Sequence, residues 1–201
     1  LRAGKRVESM RRRKQRQFEF TIVAGDLKGR RITAPDLGST RPPLSRVRKA
    51  IFDFLTPHLE GAAYLDLFSG TGSYLFEAVS RGAAFALGVE QERLLADAIN
   101  RQAAALGVAD RLRCLRDDVF RTIAHLSDDS RRWPVIMLAP PQYRGMIDRT
   151  LAALREHPLS APGGLLICQH DSSETGRIDF LDFSIQQRRA YGNTTFTVVE
   201  A

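Results

Sequence analysis

Short apolar runs alternate with segments of helical periodicity over the last two thirds of the chain. The apolar runs predict five strands, at residues 64–68, 85–90, 112–115, 134–139 and 165–170. The intervening segments predict four helices, near residues 73–81, 91–106, 118–126 and 145–156. Continuous apolar strands separated by helices are typical of a parallel sheet that helices cover on both faces. The pattern therefore predicts an α/β core.

The two ends of the chain follow a different pattern. Residues 180–190 and 194–200 predict two strands joined at Tyr191-Gly192-Asn193, which is a hairpin and not a crossover. Residues 18–35 alternate apolar and polar side chains around two glycines and predict another hairpin. Ser45 can cap a helix that runs to about Leu55. We expect a Rossmann-like, mostly parallel seven-stranded sheet with a C-terminal antiparallel hairpin and an N-terminal β-hairpin extension.

Basic residues are concentrated near the N-terminus. Residues 1–17 contain eight of the 30 Lys and Arg residues and one acid, so this tail carries the whole net charge of +7. A solvated, disordered tail and a polyanion-binding tail explain this charge equally well. A second basic cluster within residues 26–49 favours a nucleic-acid partner, because each neutralised phosphate releases counterions. The chain then divides into a basic disordered tail (1–17), a hairpin and helix that we expect to face nucleic acid (18–57), and the main domain (58–201).

The composition excludes several classes of protein. No apolar run approaches the roughly 20 residues that span a bilayer, and the N-terminal residues lack the apolar core of a signal peptide. Cys114 and Cys168 both lie in apolar runs, which predicts buried thiols and not a disulfide framework. We expect a cytoplasmic, monomeric protein with no membrane segment and no metal site.

The most informative segment is a strand that leads into a glycine-rich turn and then a helix, Asp66-Leu67-Phe68-Ser69-Gly70-Thr71-Gly72. Glycines allow a sharp turn close to a ligand, and the helix N-terminus offers free N–H groups. The spacing of two glycines alone is weak evidence. A dinucleotide-binding turn would have a third glycine at the position of Leu75. The turn also starts from an acid, Asp66, which suits a positively charged group. The turn therefore favours a ligand with an ammonium group and no diphosphate.

Two further acids follow neighbouring strands. Glu90 ends the second predicted strand, 24 residues after Asp66, near the offset at which an acid binds ribose hydroxyls. Asp118 follows the third strand, where an adenine could be contacted. Each acid alone is best explained as a surface or capping carboxylate. Three acids in register with the glycine turn favour a ligand crevice at the carboxyl ends of the strands.

Several segments, in this order, resemble the bacterial small-subunit (16S) ribosomal-RNA guanine-N2 methyltransferases, the RsmD-like family, over about residues 18–200. The segments are Ile22-Val23-Ala24-Gly25 with Lys28-Gly29-Arg30-Arg31, Thr40-Arg41-Pro42 with Arg46-Val47-Arg48, the Asp66–Gly72 turn, Glu77-Ala78-Val79-Ser80-Arg81-Gly82-Ala83, Val89-Glu90, Ala161-Pro162-Gly163-Gly164 and Tyr191-Gly192-Asn193-Thr194.

The resemblance implies a class I methyltransferase fold with S-adenosylmethionine as cofactor. It implies that Asp66, Gly70 and Gly72 hold the methionine moiety, that Glu90 holds the ribose, and that Asp118 contacts the adenine. The full predicted cofactor set is Asp66, Phe68, Ser69, Gly70, Gly72, Glu90, Gln91, Asp117, Asp118 and Val119. The predicted phosphate-binding set is Lys28, Arg30, Arg31, Arg41, Arg46 and Arg48. The implied partner is small-subunit ribosomal RNA or a 30S assembly particle.

The chain departs from the family at the catalytic motif. The family usually has Asp-Pro-Pro-Tyr or Asn-Pro-Pro-Tyr where this chain has Ala139-Pro140-Pro141-Gln142, followed by Tyr143. In such a motif a side-chain oxygen and the first proline carbonyl orient the target amine, and the aromatic ring stacks on the base. Ala139 has no acceptor, but Pro140 keeps its carbonyl, Gln142 offers an amide oxygen, and Tyr143 could stack if the loop shifts by one residue.

Three functions are consistent with these features. The first is an RNA guanine-N2 methyltransferase that uses residues 139–143 as an altered motif. The second is a catalytically silent relative that binds RNA and assists ribosome assembly, which the missing acceptor at Ala139 favours. The third is a nicotinamide-dependent oxidoreductase, against which Leu75 argues. In the fifth strand Gln169-His170 stands where the family often has Glu-His, and we expect a structural partner for His170.

Overall fold

The computed structural model describes residues 16–38, 43 and 45–200, which form two sheets and the helices around them. The strands are β1 (Gln17–Thr21), β2 (Arg31–Pro35), β3 (Ala63–Asp66), β4 (Phe85–Glu90), β5 (Leu112–Arg116), β6 (Trp133–Leu138), β7 (Ser160–Asp171), β8 (Ser184–Tyr191) and β9 (Thr194–Glu200). The helices are α1 (Ser45–Leu59), α2 (Ser73–Ser80), α3 (Arg93–Ala105), α4 (Val119–Ser127), α5 (Met146–Glu156) and a 3₁₀ turn at Ser172–Glu174.

Seven strands form the main sheet in the order β5-β4-β3-β6-β7-β9-β8. Strands β3 to β7 are parallel, and β9 pairs antiparallel with both β7 and β8. The chain moves outward from β3 to β5 and returns to β6 on the other side of β3, so the strand order reverses between β3 and β6. Ligands of open α/β sheets bind at such a reversal, beside the carboxyl ends of the strands. The sheet confirms the predicted fold class.

Alternate side chains of the strands face two separate cores. Tyr64 of β3 belongs to the core that includes α1, α2 and α3, whereas Leu65 belongs to the core that includes α4 and α5. The N-terminal hairpin β1–β2 packs into the first of these cores through Phe20 and Ile32. The hairpin therefore shares its apolar core with the main sheet, and the predicted boundary after residue 57 falls inside α1.

Some element ends differ from the prediction. Helix α1 continues through Pro57 to Leu59, because burial of the Leu59 side chain stabilises one more helical turn. Strand β7 begins at Ser160, because a register shift in β6 allows Trp133 to pair with it. Strand β8 begins at Ser184 and not at residue 180. The predicted disordered tail lies outside the described residues except for Arg16 and Gln17, and Gln17 begins β1.

The structure also shows the state of the cysteines and whether the described residues contain a membrane-spanning helix or a metal site. Both cysteines are buried and free, as predicted. In the part of the chain that the structure describes, no helix has the length and apolar character needed to cross a membrane. The same residues contain no group of three or more His, Cys, Asp or Glu side chains placed to hold a metal ion.

Candidate active site

The predicted glycine turn lies directly after β3, at the point where the strand order reverses. Strand β3 ends at Asp66, and α2 begins after Gly72, which has a φ of 79°. A Cβ at Gly72 would lie 2.7 Å from Cγ1 of Ile99 in α3, which is too close for any other residue. Gly70 also has a positive φ, of 52°. Packing and backbone conformation together therefore require glycine in this turn.

Glu90 at the end of β4 lies against the same turn. The backbone N–H of Gly70 donates to Oε2 of Glu90 at 2.8 Å, and that of Glu92 donates to Oε1 at 2.8 Å. A Cβ at Gly88 would lie 2.4 Å from Oγ of Ser69, so β4 approaches the turn closely. Burial raises the pKa of Glu90 above its ordinary value. The structure thus brings together two of the three predicted ligand regions.

Asp66 is buried, and one of its carboxylate oxygens is unsatisfied. Oδ1 accepts from the N–H of Phe68 at 3.2 Å, and Oδ2 has no hydrogen-bond partner among the described residues. Burial is the main reason that the pKa of Asp66 rises to about 7, and the charge of Glu90 raises it further. An orphaned acceptor in a buried position is costly, and a cationic donor from a ligand would satisfy it. The site therefore fits a ligand with an ammonium group.

The predicted adenine region follows β5. Asp118 caps α4, where its Oδ1 accepts from the N–H groups of Phe120 at 3.0 Å and Arg121 at 3.1 Å. Asp117 accepts from the N–H of Asp118 at 2.8 Å, and Val119 is buried. The carboxylate of Asp118 thus caps a helix, and a contact with adenine remains a prediction.

The altered motif forms the loop between β6 and α5. It borders a pocket lined by Pro140, Pro141, Gln142, Gln169, His170 and Glu174. Gln142 is exposed, and Tyr143 is 64% exposed with a φ of 61°. The backbone N–H of Tyr143 donates to Oε1 of Glu174 at 3.0 Å. The carboxyl ends of β6 and β7 therefore place residues 139–143 opposite Gln169 and His170.

His170 has the structural role that we expected. Its ring is buried, Nδ1 lies 2.8 Å from the carbonyl oxygen of Asp171, and Nε2 lies 3.1 Å from Oγ1 of Thr197. The carbonyl oxygen can only accept, so Nδ1 donates to it. Both ring nitrogens have protein partners, which is the structural role expected for His170.

Two residues near the altered motif were not predicted: Glu174, which lines the pocket, and Tyr74, which bonds to the lining residue Gln169. The buried hydroxyl of Tyr74 donates to Oε1 of Gln169, which connects α2 to β7. Burial raises the pKa of Tyr74 well above its ordinary value. A polar aromatic residue at the start of an apolar helix was the available signal for Tyr74. Glu174 lies in a loop without periodicity, where its spacing carried no signal.

The predicted phosphate-binding residues are divided between surface and interior. Lys28, Arg30, Arg31 and Arg46 are exposed. A Cβ at Gly192 would lie 3.7 Å from Nη2 of Arg46, so Arg46 is close to the turn between β8 and β9. Arg41 lies outside the described residues.

The prediction for Arg48 is wrong. Its side chain is fully buried, with Nε 3.1 Å from Oε1 of Glu77 and Nη2 donating to the carbonyl oxygen of Thr21 at 2.6 Å. The guanidinium also lies 5.2 Å from the ring centroid of Phe20. Arg48 points inward on α1 beside Val47 and ties the hairpin to α2, so it cannot contact phosphate.

Known proteins resemble the chain over most of its length. The family model described as Conserved hypothetical protein 95 matches residues 20–200. Ribosomal RNA small subunit methyltransferase D from Escherichia coli K12 is 28% identical over 153 residues, which are 76% of this chain and 75% of that protein.

Solved structures share the fold. A hypothetical protein from Thermus thermophilus has a TM-score of 0.76 and 27% identity, covering 90% of this chain and 99% of that one. An RNA methyltransferase from Salinibacter ruber, in complex with S-adenosyl-L-homocysteine, has a TM-score of 0.61 and 18% identity, covering 80% and 93%. These matches confirm the predicted fold and the assignment to the S-adenosylmethionine-dependent methyltransferases. They do not support the alternative of a nicotinamide-dependent oxidoreductase. The chain therefore belongs to the family described as Conserved hypothetical protein 95, in agreement with the resemblance to the small-subunit ribosomal-RNA methyltransferases.

Proposed function

We propose that this protein transfers a methyl group from S-adenosylmethionine to the exocyclic N2 amine of a guanine in small-subunit ribosomal RNA. The observation that carries the proposal is the contact between Gly70 and Glu90 at the reversal of the strand order, beside the loop 139–143. The relative named as a ribosomal RNA small subunit methyltransferase supports the class of substrate.

The residues around the glycine turn fit the cofactor. The unsatisfied oxygen of Asp66 would accept a hydrogen bond from the ammonium group of the cofactor's methionine part. The N-terminus of α2 offers free N–H groups to the carboxylate of the same part. Glu90 would accept from the ribose hydroxyls, and Asp118 would contact the adenine. When bound, the cofactor supplies an electrophilic methyl group on a sulfonium.

The loop after β6 would orient the target amine. The lone pair of the N2 amine is delocalised into the guanine ring, so the site must direct it toward the methyl group. The carbonyl of Pro140 and the amide oxygen of Gln142 would accept its hydrogen bonds, and the exposed ring of Tyr143 would stack on the base. Loss of one acceptor at Ala139 costs about 2.7–4 kcal/mol of transition-state stabilisation, which slows such an enzyme without abolishing transfer.

The exposed basic side chains would hold the RNA backbone. Lys28, Arg30 and Arg31 lie on the hairpin and the loop before β2, and Arg46 lies at the start of α1. Their side chains are accessible to phosphate groups, and each phosphate contact would release counterions. The substrate would be the RNA itself or a 30S assembly particle.

The test is methyl transfer from radiolabelled S-adenosylmethionine to small-subunit RNA and to assembly particles. We expect label on N2 of a guanine, and loss of transfer when Glu90→Gln removes a ribose acceptor. Glu92→Gln is the matched control, because the exposed side chain of Glu92 lies beside the site. Absence of label with the unaltered protein, while a related active enzyme labels the same RNA, would refute the proposal.

A second candidate is a silent RNA-binding factor in ribosome assembly, which the missing acceptor at Ala139 favours. The double change Ala139→Asp and Gln142→Tyr restores the usual motif and separates the two candidates. Activity that appears only after this change supports the silent factor. Activity that the change removes supports an altered but working motif.

A further inference from the structure

The loop that carries the altered motif is held by a carboxylate from another segment. The backbone N–H of Tyr143 donates to Oε1 of Glu174 at 3.0 Å, across 31 positions of sequence. Oε2 of the same carboxylate lies 3.4 Å from the backbone nitrogen of Asp171. Glu174 therefore joins the loop after β6 to the end of β7.

Tyr143 adopts a conformation that requires such support. Its φ of 61° lies in the left-handed region, which a bulky side chain rarely occupies. Its ring is 64% exposed, although a large aromatic side chain is usually packed. A strained backbone persists only where neighbouring contacts hold it, and such residues cluster at functional sites.

Asp171, at the end of β7, is held by the residue that follows the next one. Hydrogen bonds from Ser173 hold the pKa of Asp171 below its ordinary value. Ser173 donates to Oδ1 of Asp171 through its N–H at 2.9 Å and its hydroxyl at 2.7 Å. Asp171 and Glu174 form a capping box on the 3₁₀ turn, so the two acids are themselves fixed.

We infer that Glu174 is a positioning residue of the methyl-transfer site, which holds Tyr143 so that its ring stacks on the target base. Glu174 lines the pocket together with Gln142 and Gln169, so the carboxylate that holds the backbone of Tyr143 belongs to the pocket wall. The aromatic residue of the motif is thereby moved one position along the chain, from Gln142 to Tyr143. This inference rests on the proposed function.

A double-mutant cycle tests whether Glu174 acts through Tyr143. We expect Glu174→Ala to lower kcat by about tenfold to a hundredfold, with the KM for S-adenosylmethionine unchanged, because only the base is misplaced. Glu174→Gln keeps an oxygen acceptor for the N–H of Tyr143 and should restore most of kcat. Tyr143→Ala should lower kcat similarly, and the double variant should be no slower than Tyr143→Ala.

Two further measurements do not depend on turnover. Hydrogen exchange of the Tyr143 amide should be faster in Glu174→Ala than in the unaltered protein. Affinity for a short single-stranded RNA that contains guanine should fall equally in Glu174→Ala, Tyr143→Ala and the double variant. Asp182→Ala is the matched control, because Asp182 lies in the same connection, is exposed and pairs only with Arg155 at 3.4 Å among the described residues.

The outcomes separate this inference from the proposed function. Additive losses in the double variant, or unchanged exchange and unchanged affinity in Glu174→Ala, would overturn the positioning role. If the unaltered protein transfers no methyl group, the proposed function fails, whereas exchange and RNA affinity still decide the role of Glu174.

Discussion

Asp66 is a buried acid at the end of β3, and its carboxylate is difficult to ionise. It is buried, its Oδ2 has no partner among the described residues, and burial raises its pKa to about 7. A cation bound at Oδ2 would stabilise the ionised form and lower that pKa. If the ammonium group of the cofactor binds at Oδ2, as proposed, the cofactor affinity and the protonation of Asp66 are linked.

This linkage predicts a pH-dependent affinity. Below pH 7 Asp66 is protonated, so binding of the ammonium group requires release of a proton, and affinity should fall by up to about tenfold per pH unit. Glu90, whose pKa is also raised, acts in the same direction. Calorimetric titration with S-adenosylhomocysteine from about pH 8 to about pH 5.5 measures the effect. Asp66→Asn should bind more weakly and show a shallower dependence, whereas an unchanged profile would contradict the linkage.

The hydrogen bond between Tyr74 and Gln169 is a second contact at the residue scale. Tyr74→Phe removes the donor and leaves the oxygen of Gln169 without its partner. We expect unfolding free energy to fall by about 1 kcal/mol, as measured by urea titration. Tyr191→Phe is the control, because the stacking of this ring on Phe196, at 5.8 Å between centroids, does not need the hydroxyl. Equal stability of the two variants would exclude a stabilising role for the bond.

Helix α2 connects the N-terminal hairpin to the cofactor turn. Its N-terminus follows the glycine turn Asp66–Gly72, where the cofactor is proposed to bind, and its other end binds the segment between β1 and β2. Glu77 accepts from the N–H of Val23 at 2.7 Å, and Ser80 accepts from the N–H of Leu27 through its hydroxyl at 2.9 Å. A Cβ at Gly25 would lie 1.6 Å from the carbonyl oxygen of Ser80, so this contact requires glycine. The hairpin is thereby fixed relative to the candidate active site.

The buried pair of Arg48 and Glu77 is the charged part of this connection. Glu77→Ala leaves the guanidinium of Arg48 buried without its carboxylate, which should lower the unfolding free energy by about 3–5 kcal/mol. Arg93→Ala breaks an exposed pair on α3 and should cost under about 1 kcal/mol. Chemical denaturation of both variants provides the comparison. A cost for Glu77→Ala as small as that of the control would show that the pair is dispensable.

At the scale of the molecule, exposure distinguishes the basic residues that can reach RNA from Arg48, which is buried and cannot. Arg30→Ala, Arg31→Ala and Arg46→Ala should each reduce the slope of log affinity against log salt concentration by about 1, because each removes one phosphate contact. Arg155→Ala is the control, since α5 packs into the opposite core from the hairpin. Fluorescence titration of small-subunit RNA at several salt concentrations measures the slope. An unchanged slope removes that residue from the RNA-binding surface.

The fold and the glycine turn after β3 could be predicted because their signals are local. Strand and helix periodicity, Asp66 with two glycines, and an acid after the next strand lie within short windows, where backbone conformation and burial restrict the residue types. The parallel order of the strands then brings their carboxyl ends to one edge. Because β3 and β4 are parallel neighbours, the sequence alone could predict that Glu90 lies beside Gly70.

Tertiary structure alone settled which polar groups meet. Arg48 binds Glu77 across 29 positions, Glu174 holds Tyr143 across 31, and Tyr74 reaches Gln169 across 95. Such pairs depend on the path of the chain through two cores, and charge or residue type does not encode that path. A basic residue within a basic cluster is therefore indistinguishable in the sequence from one that is buried, because burial, and not charge, decides whether it can reach a phosphate.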